Sequence, residues 1–307
     1  MITILGAGGV IGNELVNLLV HGNQPLRLVS RRAAQSEPGT QTLSADLTDL
    51  RQTIDAVAGS SVVFLLAGLK YDHQIWAEAW PRIMANTIEA CKRARARLVF
   101  FDNVYMYGKV SGGPMTEQTP FNPCSRKGEV RASIAASLIE EWKAGRLTAM
   151  IARSADFYGP GAPTGIANNL VFEPMSKGRK AMCLASDSLP HSYTYTPDAA
   201  RAIATLADSA SAWNQTWHVP TRPDPPTSKE FITIAAKAMN RTPKYRVLTK
   251  PMVRIAGWFN PIIGEVYEML YQNDSPYLFD SSKFARAFGF AGTSYSEGIA
   301  VTATSYR

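Results

Sequence analysis

The sequence predicts an α/β protein: a doubly wound parallel sheet with a smaller, mostly helical C-terminal substrate domain. Three observations carry that expectation. A strand, a glycine-rich turn and a helix open the chain; strands then alternate with helices to about residue 153; and the rhythm breaks afterwards. The first strand is the apolar run ending Ile2-Thr3-Ile4-Leu5. It meets the turn Gly6-Ala7-Gly8-Gly9-Val10-Ile11-Gly12, after which Leu15, Leu18, Leu19 and Val20 recur at the spacing of a helix face over 10–20. Strand signals follow at Leu26–Ser30, Thr42–Ser44, Ser61–Leu66, Arg97–Asp102 and Thr148–Arg153, with helical patterns at 49–57, 74–94 and 126–143. Pro81 falls inside the third of these four helices, so a kink or a restart at Pro81 is expected there.

Beyond Arg153 the elements shorten. Gly159–Pro163 reads as a loop, Ala167–Lys177 as a helix-like insertion and His191–Thr196 as a short strand. Pro197 opens a helix at Asp198–Leu206, and Trp217-His218-Val219 forms another strand. From Thr221 the chain is mostly helical, with Trp258, Tyr267, Met269 and Tyr277 as its bulky apolar groups.

Composition narrows the class. At 307 residues and 46% hydrophobic content, the chain can bury a large core. Its longest apolar stretch, 62–68, is far shorter than the roughly 20 residues of a membrane span. No signal-peptide pattern precedes the first strand. Cys91, Cys124 and Cys183 are odd in number and widely spaced, which fits reduced thiols in a cytoplasmic protein and no metal site. The net charge is +7, but its densest run, Lys92 to Arg97, falls where a helix ends. Cations there complement the helix dipole, and no nucleic-acid motif accompanies them.

The glycine turn is the strongest functional signal. Strand, glycine turn and helix are what a dinucleotide pyrophosphate requires, because the helix N-terminus presents backbone donors to it. In that reading Gly6 permits the tight turn, Gly9 lets backbone N–H groups approach phosphate, and Gly12 permits close packing of helix on strand; Gly8, Val10 and Ile11 complete the lining. The second strand ends Ser30-Arg31-Arg32, where an acidic residue would accept from a ribose 2′-OH. Two arginines and no carboxylate point instead to a 2′-phosphate, hence NADP, with NAD the other choice. Asp46-Leu47 follows the third strand, placed either to meet the adenine edge or to start the next helix.

The chain resembles the extended short-chain dehydrogenase/reductases, the NAD-dependent epimerase/dehydratase family. The resemblance rests on Gly6–Gly12, Asp46-Leu47, Leu66-Ala67-Gly68, Asn86-Thr87 with Glu89-Ala90, and Val104–Gly108. It continues through Arg153, Tyr158-Gly159-Pro160, Asn168-Asn169-Leu170 and Tyr195 with Asp198-Ala199-Ala200, about residues 1–240 in all. It implies a Rossmann-type fold with a dinucleotide-binding domain at 1–155, a returning segment at about 191–220, and a substrate-binding cap at 156–190 and 221–307. It adds Leu66, Ala67 and Gly68 to the cofactor lining and assigns Asn86 to support of the central sheet. A homodimer through two helices flanking the sheet is the family habit.

The resemblance fails where the chemistry should be. The family uses a Ser/Thr after the fifth strand and a YxxxK pair in the next helix, the tyrosine acting as general acid/base. Counted along this chain, those positions hold Asn103, preceded by Asp102, then Lys127 and Arg131. Three outcomes follow. Lys127 replaces the tyrosine, with Arg131 tuning its charge and anchoring the ribose while Asp102 and Asn103 orient substrate. Alternatively a tyrosine from elsewhere substitutes, Tyr105, Tyr107 and Tyr158 being nearest in sequence. Or the protein binds NADP(H) without turnover, as a sensor. The bland reading of Lys127 and Arg131 is a solvated pair on a helix face. On the substrate side, His191 and Ser192 stand where nucleotide-sugar epimerases carry an arginine, and an exposed His191 is the plainer reading. Tyr105, Tyr158, Asn168, Asn169 and His191 are the substrate candidates. The expected activity is hydride transfer at a C–OH or C=O centre of a small molecule other than a nucleotide sugar.

Overall fold

The structure is a computed structural model that describes residues 1–20, 22, 24–31 and 39–306. Its first half follows the alternation closely: β1 (Ile2–Leu5), α1 (Val10–Leu19), β2 (Leu26–Ser30), β3 (Thr40–Ser44), α2 (Leu50–Val57), β4 (Val62–Leu65), α3 (His73–Ala94), β5 (Arg97–Asp102), α4 (Arg126–Lys143) and β6 (Ala149–Arg153). The later strands are β7 (Asp156–Tyr158), β8 (Ala181–Leu184), β9 (Tyr193–Tyr195), β10 (Thr216–His218) and β11 (Tyr245–Leu248). Seven of them form the central sheet in the order β10-β6-β5-β4-β1-β2-β3. Ile4 of β1 lies beside Leu28 on one side and Phe64 on the other, in parallel register. β1 and β4 therefore sit inside the sheet, with Ile4, Leu5, Val63, Phe64 and Leu65 buried. The loops at the C-terminal ends of β1, β2, β4 and β5 are where such sheets place ligands.

The local signals are readable in the helices. Asp49 caps α2 by accepting from the Gln52 N–H at 2.9 Å, and Asp72 caps α3 through Gln74. Pro81 neither restarts nor ends α3, which runs unbroken from His73 to Ala94. Buried Trp76 and Trp80 before the proline, and Ile83 and Met84 after it, hold the two stretches to one face despite the lost backbone hydrogen bond.

Contacts divide the chain into two units: Met1–Met106, Arg126–Arg153 and Ala199–Trp217 in the first, and Tyr107–Ser125, Ser154–Asp198 and His218–Arg307 in the second. The boundary after Arg153 lies close to the expected one. Residues 107–125, expected in the first unit, belong to the second, where the Met115 N–H bonds the Leu278 carbonyl at 2.8 Å. Residues 191–198 also fall there, because β9 pairs in parallel with β7. Sequence reading misses β7, β8 and β11, short strands that lie outside the regular alternation of strand and helix. Met269 and Tyr277 are buried as core, but Trp258 is 73% exposed.

Candidate cofactor cradle and reaction centre

The cradle is built by backbone. Gly6 has φ +94°, which favours glycine, and a Cβ there would lie 2.6 Å from the Ala67 backbone. At Gly12 a Cβ would stand 2.8 Å from the Gly6 carbonyl oxygen, so helix and turn touch with no space for a side chain. Gly8 differs, since nothing lies within 4 Å of a Cβ built there. Gly9 is the N-cap of α1, and its own N–H is spent on the Gly6 carbonyl at 3.1 Å. The donors that remain are in the first turn, at Val10, Ile11 and Gly12, where helix geometry leaves N–H groups without intrahelical partners. That turn carries no acidic side chain to compete with an anion.

The neighbouring loops come from the strands beside β1. Ser30 is half-buried and Arg31 exposed, with the Arg31 carbonyl accepting from the Ser44 hydroxyl at 3.1 Å. Arg32 lies outside the described residues. Asp46 does not cap α2, that task falling to Asp49; its Oδ1 accepts from the Thr48 N–H at 2.9 Å and the Thr48 hydroxyl at 2.8 Å. Those bonds hold the Asp46 carboxyl below the usual carboxylate range, and the charges of Arg31 and Arg82 add to the effect. Asn86 reaches across from α3 to donate to the Leu47 carbonyl at 3.0 Å, so it fixes the Asp46-Leu47 loop rather than facing the turn. After β4, Leu66 is buried, Ala67 half-buried and Gly68 exposed.

The end of β5 is of another kind. Asp102 is 1% exposed and lies between two guanidinium groups, Arg131 Nη1 at 3.3 Å and Arg153 Nε at 3.8 Å. Its Oδ1 also accepts from the Asn103 N–H at 2.9 Å. Arg131 is packed over aromatic faces, 4.1 Å from the Trp80 ring centroid and 4.8 Å from that of Trp76. Burial pushes the Asp102 carboxyl up and the Arg131 guanidinium down, and their mutual attraction opposes both shifts. From the sequence, both residues are expected at the reacting centre. Asp102 lies between two buried cations, and the Arg131 guanidinium pairs with Asp102 and packs on the tryptophans, while its Nε and Nη1 make no hydrogen bond among the described residues.

Lys127 is fully buried, so the solvated pair is excluded. Its Nζ stands 4.6 Å from the ring centroid of Tyr71, a residue that sequence reading does not single out. The Tyr71 hydroxyl donates to that of Tyr105 at 3.4 Å. Trp76 stacks on Tyr105 at 6.1 Å and meets Tyr71 edge-on at 5.8 Å. Asn103, half-buried, accepts the Tyr105 N–H through its Oδ1 at 3.1 Å. The Lys127 ammonium therefore faces an aromatic ring inside the protein. Tyr71 lies in the loop after β4, where only its approach to Lys127 and Tyr105 in three dimensions gives it meaning.

Most substrate candidates of the second unit belong to its core. Tyr158 is fully buried among Tyr195, Phe231 and Tyr295, and burial raises its phenol above the ordinary value, which places it in the core of the second unit. Asn168 is fully buried, its Nδ2 donating to the Gly159 carbonyl at 2.9 Å and to the Tyr306 hydroxyl at 3.0 Å. His191 is buried, not exposed; its Nε2 meets Asp156 Oδ2 at 2.9 Å and its ring stacks on Tyr277 at 4.3 Å. Asn169 is exposed, with its amide donating to the Pro163 carbonyl at 2.9 Å. Tyr107, weighed as a substitute acid, is buried and bonded to His218 at 2.8 Å.

A model of the NAD dependent epimerase/dehydratase family matches residues 2–219. Among solved structures, the chain is similar to a UDP-glucose 4-epimerase from Thermus thermophilus in complex with NAD, at 19% identity and a TM-score of 0.81, covering 99% of this chain and 98% of that one. It is also similar to a dTDP-glucose 4,6-dehydratase from Streptomyces venezuelae with NAD bound, at 16% identity and a TM-score of 0.80, covering 100% and 96%. A third is a UDP-N-acetylglucosamine 4-epimerase from Methanobrevibacter ruminantium, at 17% identity and a TM-score of 0.81, covering 99% and 97%. At these identities the likeness is one of fold. No curated protein matches the chain. Among the described residues, no helix is long and apolar enough to cross a membrane.

Proposed function

The chain belongs to the NAD dependent epimerase/dehydratase family, and from that premise we propose that it is an NADP(H)-using oxidoreductase or epimerase acting at a C–OH or C=O centre of a small molecule. The observation that carries the reading is the glycine cradle, in which Gly6 and Gly12 leave no space for a side chain and the first turn of α1 carries no acid. The residues fit a dinucleotide, which supplies the hydride when bound. The α1 donors at Val10, Ile11 and Gly12 would hold its pyrophosphate, and Asp46-Leu47 with Ala67 and Gly68 would line its adenosine and ribose.

Arg31 supports the choice of NADP. It is exposed at the end of β2, and a guanidinium there pairs with a 2′-phosphate as a carboxylate would not. A substrate other than a nucleotide sugar is supported by His191 and Ser192. The imidazole is committed to Asp156 and Tyr277, and the Ser192 hydroxyl accepts from the Phe279 N–H at 3.1 Å, so neither supplies a cation to a diphosphate.

The proton chemistry would draw on Lys127, whose buried ammonium lies beside the Tyr71 ring, and on the Tyr71 hydroxyl that donates to that of Tyr105. A second reading, a binder of NADP(H) without turnover, is favoured by one observation: both positions of the missing pair are now buried cations, and Arg131 is held by Asp102. Titration with NADPH followed by a panel of small aldehydes and ketones separates the two. Consumption of the reduced cofactor supports the enzyme, and tight binding with no consumption across the panel supports the silent binder. Preference for NAD over NADP would overturn the assignment of Arg31.

A further inference from the structure

Counted along the chain, the family's tyrosine position holds Lys127. We propose that Tyr105, coupled to Tyr71 and backed by Lys127, is the general acid/base of this protein. The proposal deepens the functional reading above and rests on it for the identity of the reaction. Three observations converge within the first unit. The Tyr71 and Tyr105 hydroxyls approach to 3.4 Å with the Tyr71 hydroxyl directed at that of Tyr105, so a modest closing of the two loops would let a proton pass between them. The Lys127 ammonium lies 4.6 Å from the Tyr71 ring centroid, with the lysine fully buried and therefore weakly screened. Trp76 stacks on Tyr105 and meets Tyr71 edge-on, which fixes both rings. Both tyrosines remain half-buried rather than enclosed, unlike Tyr107 and Tyr158.

The charges around the pair favour an ionised phenol. Lys127 faces Tyr71, and Arg131 interacts electrostatically with Tyr105. Asp102 opposes them, but it is shared between Arg131 and Arg153. An opposite charge at such distances stabilises the phenolate relative to the phenol. In the family the tyrosine and the cation that supports it sit on one helix; here the cation stays on α4 and the phenols come from the loops after β4 and β5.

In the reductive direction the balance is as follows. A carbonyl carbon of the substrate accepts hydride from the reduced nicotinamide dinucleotide, and the C=O π pair moves to oxygen. The Tyr105 O–H bond breaks as its proton forms the new O–H bond of the alcohol. The Tyr105 phenolate then takes the hydroxyl proton of Tyr71, and Tyr71, held as phenolate under Lys127, is reprotonated from water. Oxidation of an alcohol runs the same steps backwards. Tyr105 is the catalytic residue, while Tyr71 and Lys127 position and recharge it.

The test uses the full chain with NADPH present and reads two quantities, tyrosinate absorbance against pH and single-turnover consumption of NADPH with a carbonyl panel. In the wild type, one tyrosinate is expected to form well before the bulk of the tyrosines. Tyr71→Phe, nearly isosteric, abolishes that early component, and Tyr105→Phe, which removes the partner hydroxyl, shifts it. Lys127→Met moves it toward the bulk, and Lys127→Arg, which restores a cation, returns it. Tyr105→Phe slows turnover by about 100-fold or more, the usual contribution of a general acid, with NADPH affinity unchanged. Titration curves that coincide in all five proteins overturn the proposal even if turnover is absent, and so does wild-type turnover in Tyr105→Phe. An early tyrosinate without any turnover overturns the functional reading and with it the acid/base role of Tyr105, and leaves only the ionised pair.

Discussion

The turn after β1 and the end of β5 share one unit of the molecule and have met opposite fates. At the turn, recognition is built from backbone: Gly6 at φ +94° and Gly12 against the Gly6 carbonyl leave no choice of residue. At β5 and α4, recognition would depend on side chains, and there the expected groups have been exchanged. Asp102 now lies between Arg131 and Arg153, and Lys127 lies over Tyr71. Geometry that the backbone imposes is retained because few residues satisfy it. Side-chain chemistry can be supplied from any loop that reaches the same point, and so it drifts.

Variants that strike each region should separate the two. The largest effect is expected from Asp102→Ala, which leaves two buried guanidinium groups without their shared counter-charge. Removing one partner of a buried ion pair costs about 3–5 kcal/mol, read as a fall in the denaturant midpoint. Asp102→Asn tests the same point with less change of shape, and stability equal to wild type in both variants would show that the cluster is not what holds α4 to the sheet. Gly6→Ala comes next. The strained backbone costs about 1–3 kcal/mol, and the 2.6 Å approach to Ala67 shifts the loop after β4, so NADPH affinity should fall with stability. Unchanged affinity would remove the cradle from the account.

Arg31→Asp should act on selectivity alone, weakening NADPH by about ten-fold relative to NADH with little change in thermal midpoint. Equal weakening of both cofactors would contradict the assignment. Gly8→Ala should do least. Nothing lies within 4 Å of the added Cβ, so stability should stay within about 0.5 kcal/mol of wild type. A loss comparable to that of Gly6→Ala would mean that the turn is read residue by residue by its ligand rather than set by its backbone.

The same contrast explains what the sequence can reveal. Strands β1 to β6 and helices α1 to α4 are legible because short apolar runs alternate regularly with helical patterns, and because Gly6, Asp49 and Asp72 punctuate them. Of the pairs β7–β9 and β8–β11 only β9 is read from the sequence, because the other three strands lie outside that alternation and no turn-and-helix pattern marks them. Arg131 and Lys127 are identifiable as the occupants of the altered positions, yet their surroundings are not legible. Whether a cation at i, i+4 on a helix is solvated or buried depends on what packs against it, here Trp76, Trp80 and Tyr71 from α3 and the loop before it. His191 and Asn168 illustrate the converse: polar residues that look available are satisfied inside the second unit by Asp156 and by Gly159 and Tyr306.

The central claim is that cofactor binding and proton transfer now reside in separable parts of one unit, the first inherited with the backbone and the second rebuilt from Tyr71, Tyr105 and Lys127. Measuring NADPH affinity and single-turnover hydride transfer side by side in Tyr105→Phe tests it directly. The expected result is an unchanged dissociation constant with transfer slowed by about 100-fold or more. Transfer at the wild-type rate, or affinity and rate falling together, would contradict it.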